Sequence, residues 1–372
     1  MFRQPETMEG EDAMSGLRFI FVHGLSGWGS YDDAYRRMPY WGMRGGDLIA
    51  YLRENGFDAY AASVAPTGSA WDRACELYAQ LAGARTDYGL AHSAKYRHDR
   101  YGRDFSGCPL IPDWREDTSL VLLGHSFGGA AVRELSRLLA DGDEEERLAA
   151  APDVPPLFAG GMAGRIHSIV TLASPMNGTT AYDLFEDPDF DPAAVRVPWW
   201  SGGLAKMMSR GTGPKLDGRD EKDYAGWDMH LDRAKAMNDR IPTLPGVYYF
   251  SVPCSFTGKS ADGTWRPRKG MEPLFVMRSC QIGAYAGRTA GGMTVDAAWR
   301  ENDGLVNTLS ASAPSGAPQR SLNKDRIKPG VWNVFPKVEG DHMWPQGGLL
   351  RRHDVRPFYL ELLTMISQLK TP

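Results

Sequence analysis

Short apolar runs alternating with amphipathic stretches set the pattern of this chain. Residues 17–23 form an apolar run, interrupted at Arg18, that ends in the glycine-rich loop His23-Gly24-Leu25-Ser26-Gly27, which predicts a buried strand. Residues 47–55 have helical spacing and stop at Gly56, residues 57–64 predict a second strand, and 71–81 return to helical spacing. Further short strands are predicted at 120–123, 166–172, 247–252 and 331–338, and residues 355–369 predict a closing amphipathic helix. Strands alternating with helices imply a mostly parallel sheet covered on both faces, an α/β fold built as one domain over residues 1–372. The chain has no internal repeat.

Two stretches break the alternation. Residues of about 84–117 are rich in Tyr, Arg, Asp, His and Gly, with little apolar periodicity. They are too long for an ordinary connection, so they need a reason to be ordered. Residues of about 181–238 place Pro198-Trp199-Trp200 and Leu204-Ala205-Lys206-Met207-Met208 among charged side chains. Such a mixture reads as a cover over an apolar pocket, with a small packed cap as the alternative. Trp199, Trp200, Leu204, Met207 and Met208 are accordingly candidate substrate contacts.

Composition narrows the function class. Hydrophobic residues make up 42% of 372, enough for a substantial core. Forty-two basic against 46 acidic residues give a net charge of −4 with no basic block, which argues against nucleic acid as the main partner. No apolar run reaches the roughly 18 residues a membrane span needs. Residues 1–16 lack an apolar segment, so no signal peptide is readable there. Cys75, Cys108, Cys254 and Cys280 are scattered and include no C-x-x-C pair; they read as buried free thiols, with a Cys254–Cys280 bridge left open.

The chemistry is concentrated in Gly124-His125-Ser126-Phe127-Gly128, a G-x-S-x-G pattern between an apolar run and the amphipathic residues 130–139. That context predicts a nucleophile elbow, with glycines where a side chain would clash and Ser126 at a helix N-terminus. A serine hydroxyl needs a histidine to take its proton and a carboxylate to orient that histidine. His167, His230, His342 and His353 follow Ser126. His342 fits best, since it follows a late strand and precedes the last helix, whereas His353 sits in a basic stretch opening that helix. Asp303, in the turn Asn302-Asp303-Gly304, supplies the acid and completes the Ser, acid, His order of α/β-hydrolases. Asp341 reads as structural. The oxyanion would then be held by the backbone N–H groups of Phe127 and Leu25.

Beyond these residues, the chain resembles the bacterial true lipases of the thermoalkalophilic Geobacillus and staphylococcal type, with polyester-hydrolysing relatives. The resemblance rests on His23-Gly24-Leu25-Ser26-Gly27-Trp28-Gly29, Tyr40-Trp41-Gly42 and Trp71-Asp72-Arg73-Ala74-Cys75-Glu76. It extends through Asp87-Tyr88-Gly89, Ala91-His92, Lys95, Ala173-Ser174-Pro175, Gly178-Thr179-Thr180 and Asn302-Asp303-Gly304 with Val306-Asn307-Thr308. It implies an α/β-hydrolase fold and a carboxylic-ester hydrolase of lipase type, with a polyester hydrolase or short-chain carboxylesterase as the alternative and a non-catalytic zinc-stabilised binding module as a remote one. The family's catalytic Ser, Asp and His fall on Ser126, Asp303 and His342. Its structural zinc, held by two aspartates and two histidines, implies Asp72, His92, His98 and Asp217 as ligands here, a set that would tie the 84–117 stretch to its neighbours. The family also implies a secreted mature chain, whereas a native start at Met1 implies the cytoplasm. Three departures stand out. The residues after His342, Met343-Trp344-Pro345-Gln346-Gly347-Gly348, carry no carboxylate, so no calcium site is expected. Met176 stands where relatives have histidine. The cover is shorter than in the thermophilic enzymes.

Overall fold

A computed structural model describes residues 16–202 and 218–371. Seven parallel strands form the main sheet: β1 (Leu17–Val22), β2 (Ala59–Ala62), β3 (Ser119–His125), β4 (Ile166–Leu172), β5 (Tyr248–Val252), β6 (Gln319–Ser321) and β7 (Trp332–Val334). Their spatial order is β6-β7-β5-β4-β3-β1-β2, which places β3 near the middle. Successive side chains of a strand face opposite ways. Ile20, Val22, Leu120, Leu122 and Ile169 therefore enter one apolar layer, and Phe19, Phe21, Val121, Leu123, Val170 and Phe250 the other.

The helices close both layers. The first is covered by α2 (Ala70–Ala82) through Ala74, Leu77 and Leu81, and by α4 (Gly128–Asp141) through Ala131, Val132, Leu135 and Leu138. The second is covered by α1 (Leu48–Glu54) through Leu48, Ile49 and Leu52, and by α5 (Arg356–Ser367) through Tyr359, Leu362, Leu363 and Ile366. Helix starts follow local chemistry: Asp47 accepts the N–H of Ile49 and Ala50, and Ser69 that of Asp72. Gly83 ends α2 in the left-handed conformation.

The structure departs from the sequence reading at several points. The run 331–338 is not one strand: β7 ends at Val334, Pro336 cannot donate to a ladder, and Val338–Glu339 pairs separately with Cys254–Ser255. Strand β6 is short, polar and partly exposed, as suits a sheet edge, and so has no apolar signature. The stretch 84–117 is more regular than its composition suggests, for it holds an antiparallel pair, Arg85–Asp87 with Tyr101–Asp104, and the helix α3 (Leu90–Tyr96). All four cysteines are free, and Cys108 is exposed rather than buried.

Of the 181–238 segment, Leu204, Met207, Met208 and Asp217 lie outside the described residues. Trp199 is 93% exposed and Trp200 42%, so neither ring is the core of a packed cap. Further on, Ala225 and Met229 pack against Ala70, Phe127 and Ala130, joining that end of the segment to the nucleophile helix. No helix among the described residues is long and apolar enough to cross a membrane.

Candidate active site

Ser126 sits where β3 turns into α4, at φ 53°. A non-glycine residue in this left-handed region is strained, and the surroundings hold it there. Its N–H donates to Leu172 O on β4 (2.9 Å). The glycines at either side leave room for the turn: a Cβ at Gly124 would lie 2.5 Å from the Gly128 backbone, and one at Gly128 would lie 2.3 Å from Val22 O. Ser126 Oγ lies 2.8 Å from His342 Nε2, and His342 Nδ1 lies 2.8 Å from Asp303 Oδ2. The other Asp303 oxygen accepts the N–H groups of Leu305 (3.0 Å) and Val306 (2.8 Å) in its turn. All three groups are buried. With Nδ1–H donated to the carboxylate, Nε2 is free to accept the serine proton.

The other downstream histidines have separate partners. His353 stacks on Trp344 and bonds its carbonyl, His230 meets Asp183 and Glu186, and His167 meets Ser168. Asp341 points away from the His342 ring, accepting the N–H of Glu272 (2.7 Å) and of Met343 (3.0 Å); burial pushes its carboxyl up to about 6. The N–H groups of Leu25 and Phe127 have no hydrogen-bond partner among the described residues. These are the two donors expected for an oxyanion.

Behind the triad runs a chain of hydrogen bonds absent from the sequence reading. Gly24 N–H donates to Tyr40 Oη (2.9 Å), Tyr40 Oη meets His125 Nδ1 (2.6 Å), and His125 Nε2 meets His342 O (2.9 Å). Burial, with the His342 ring beside it, holds the His125 imidazole well below its ordinary range, so it is neutral.

Glu272 supports the same loop. It is fully buried, and one carboxylate oxygen accepts the N–H groups of Leu349 (2.8 Å), Leu350 (2.6 Å) and Arg351 (2.8 Å). An acceptor of three backbone donors pins the segment following His342. Glu272→Ala would strand those donors and should cost about 3 kcal/mol or more. Chemical denaturation measures that loss, and an unchanged midpoint would refute the role.

A second cluster lies away from the triad. Asp72 on α2, His92 on α3, His98 just beyond it and Asp223 offer ligand atoms within 4.8 Å of one another. The family resemblance implied Asp217, outside the described residues, as the second aspartate; among the described residues the carboxylate that meets the other three is Asp223. His92 Nε2 is 3.2 Å from Asp72 Oδ1 and 3.2 Å from Asp223 Oδ1; His98 Nε2 is 3.2 Å from Asp223 Oδ2 and 4.0 Å from Asp72 Oδ1. Tetrahedral ligands about 2.0–2.1 Å from an ion stand about 3.3 Å apart, close to these separations. Asp72 Oδ1, both imidazole Nε2 atoms and the Asp223 oxygens are buried without hydrogen-bond partners, as expected of atoms aimed at an ion.

Supports surround the cluster. His98 Nδ1 bonds Asp99 O (2.9 Å), which leaves Nε2 as the ligand atom. Trp71 stacks on His92 at 4.9 Å, Arg219 bonds Asp72 Oδ2 (2.7 Å), and Glu146 accepts the N–H of His92 (2.7 Å) and of Ala91 (3.1 Å) at the start of α3. Arg97 adopts φ 61°, turning the chain so that His98 comes back toward His92.

Comparison with known proteins identifies the family of the chain. Residues 17–198 match the family model "Lipase-like, C-terminal domain". Lipase 1 from Pelosinus fermentans is 30% identical, with a TM-score of 0.77 over 95% of this chain and 99% of that one. The chain belongs to the staphylococcal-type lipase family. EstA from Clostridium botulinum aligns with this lipase-family chain at a TM-score of 0.82 and 29% identity, over 96% of this chain and 88% of that one. Lipase 2 of Staphylococcus aureus is 31% identical over 87% of this chain and 49% of its own length. The chain thus spans about half the length of the curated lipases it matches.

Proposed function

We propose that this lipase-family chain is a carboxylic-ester hydrolase acting on apolar esters through an acyl-enzyme. The observation that carries the reading is the unbroken line from Asp303 through His342 to Ser126, with the N–H groups of Leu25 and Phe127 left unpaired nearby. Ser126 Oγ attacks the ester carbonyl while its proton passes to His342 Nε2, and Asp303 stabilises the imidazolium. The two amides take the negative charge of the tetrahedral oxygen. His342 then returns the proton to the leaving alcohol. Water, deprotonated by the same imidazole, attacks the acyl carbon, and the carboxylic acid departs as Ser126 regains its proton.

Trp199 and Trp200, together with Leu204, Met207 and Met208, are proposed to contact the acyl part of the substrate. The test is a series of p-nitrophenyl esters from two to sixteen carbons, with emulsified triolein and an aliphatic-aromatic polyester alongside. Turnover rising with chain length and present on the emulsion is expected; activity confined to acetyl and butyryl esters would sink the lipase reading in favour of an esterase.

We also propose that Asp72, His92, His98 and Asp223 hold a structural zinc. Two imidazoles and two carboxylates suit Zn²⁺, balance its charge and complete a tetrahedral set, so the ion would tie α2, α3 and the end of the 181–238 segment together without entering the reaction.

A further inference from the structure

Arg73 is a fully buried cation with no ion pair among the described residues. Glu76, three residues on along the same helix, is the acid that acts on it, but the Glu76 carboxylate accepts from Ala65 N–H and Tyr88 Oη rather than from the guanidinium. What Arg73 touches is the oxyanion loop. Its Nη2 donates to His23 O and, at 3.4 Å, to Gly24 O, while its Nε and Nη1 have no hydrogen-bond partner and the guanidinium lies 5.3 Å over the Phe127 ring.

His23 acts on the same carbonyl. Val64 N–H donates to His23 Nε2 (3.2 Å), which fixes the proton on Nδ1, and Nδ1 donates to Gly24 O (2.8 Å). Burial, reinforced by the Arg73 charge, lowers His23 to about 3, so this tautomer is not disturbed by protonation. The Gly24 carbonyl and the Leu25 N–H belong to one planar trans peptide and point in opposite directions. Two donors gripping the carbonyl therefore fix where the N–H points, and that N–H is one of the two unpaired donors beside Ser126.

We propose that Arg73 and His23 are positioning residues for the oxyanion: by holding the Gly24 carbonyl they aim the Leu25 N–H at the carbonyl oxygen of the bound ester. Tyr40 holds Gly24 from its N–H side and links it through His125 to the His342 backbone, so the oxyanion donor and the general base are set by one network. A cation on the carbonyl also polarises the peptide, which strengthens its N–H as a donor. The inference rests on the ester-hydrolase reading above, and it predicts an effect on the transition state rather than on substrate binding.

The test compares p-nitrophenyl butyrate with its thionoester in the wild-type chain, Arg73→Met, Arg73→Lys and Tyr40→Phe. Sulfur accepts hydrogen bonds poorly, so the thionoester draws little on the Leu25 and Phe127 amides. Losing an oxyanion donor costs about 100- to 1000-fold in kcat, and misaiming one should cost less: about 10- to 100-fold for Arg73→Met on the oxygen ester, with KM changed less than about twofold. The thionoester rate should fall far less, and Arg73→Lys should recover part of the loss. Should Arg73→Met fail to fold by near-ultraviolet circular dichroism, Tyr40→Phe carries the same comparison, with a smaller fall in the same ratio. An active wild type whose variants lose both esters equally, or neither, overturns the inference alone. A wild type inactive on both esters overturns the ester-hydrolase reading and this inference with it.

Discussion

Ser126→Ala is expected to lower kcat on a p-nitrophenyl ester by about a million-fold, the scale on which serine hydrolases lose rate when the nucleophile is removed. The hydroxyl hydrogen-bonds His342 Nε2, and alanine at this site neither adds volume nor leaves a backbone donor unpaired, so the fold should be retained. His342→Ala should cost nearly as much, and the double substitution hardly more, because the three side chains act as a unit. Steady-state kinetics together with labelling by a fluorophosphonate probe measures this. Residual turnover above about one per cent of wild type, or labelling that survives in Ser126→Ala, would remove Ser126 from the reaction.

Removing the proposed zinc from the Asp72, His92, His98 and Asp223 cluster should lower stability. An ion present at about a thousand times its dissociation constant stabilises the folded state by about 4 kcal/mol. For a chain of this size that corresponds to a fall in Tm of about 5 °C when a strong chelator is added, reversed by zinc and not by magnesium or calcium. His98→Ala should show the same lowered Tm without any response to chelator, since the ligand atom that its Asp99 contact directs toward the cluster is gone. Elemental analysis of protein purified without chelator should find zinc in equimolar amount. Protein lacking zinc, or a Tm indifferent to chelation, would leave the four buried side chains without the ion we assign to them.

Legibility in the sequence followed how local each signal was. The nucleophile elbow could be read because its glycines, its serine and its flanking strand and helix occupy adjacent residues, and the glycine clearances are met by the turn itself. Strands buried on both faces, such as β4, were visible as apolar runs; β6 was not, since an edge strand needs no apolar face. For the metal cluster the histidines and Asp72 could be placed by motif. The second aspartate could not, because several acids lie between 217 and 223 and only folding decides which one reaches the cluster. Glu272 carried no signal, and Arg73 only its place in the Trp71-Asp72-Arg73-Ala74-Cys75-Glu76 motif, which says nothing of its role. Their partners lie 77 to 79 and about 50 residues away, and nothing near either side chain marks it as an anchor rather than an ordinary surface charge.

By itself, then, the sequence determined the α/β alternation, the elbow around Ser126 and the order in which Asp303 and His342 follow it, because these are written in periodicity and in neighbouring residues. Tertiary structure alone decided what reaches across the chain: that Asp223 completes the buried cluster, that Glu272 holds the segment after His342, and that Arg73 and Tyr40 grip the oxyanion loop from opposite sides. The physical reason is the same in each case. A buried polar atom is satisfied by whichever partner the packed sheet and helices bring within about 3 Å, and that distance does not exist until the layers have closed.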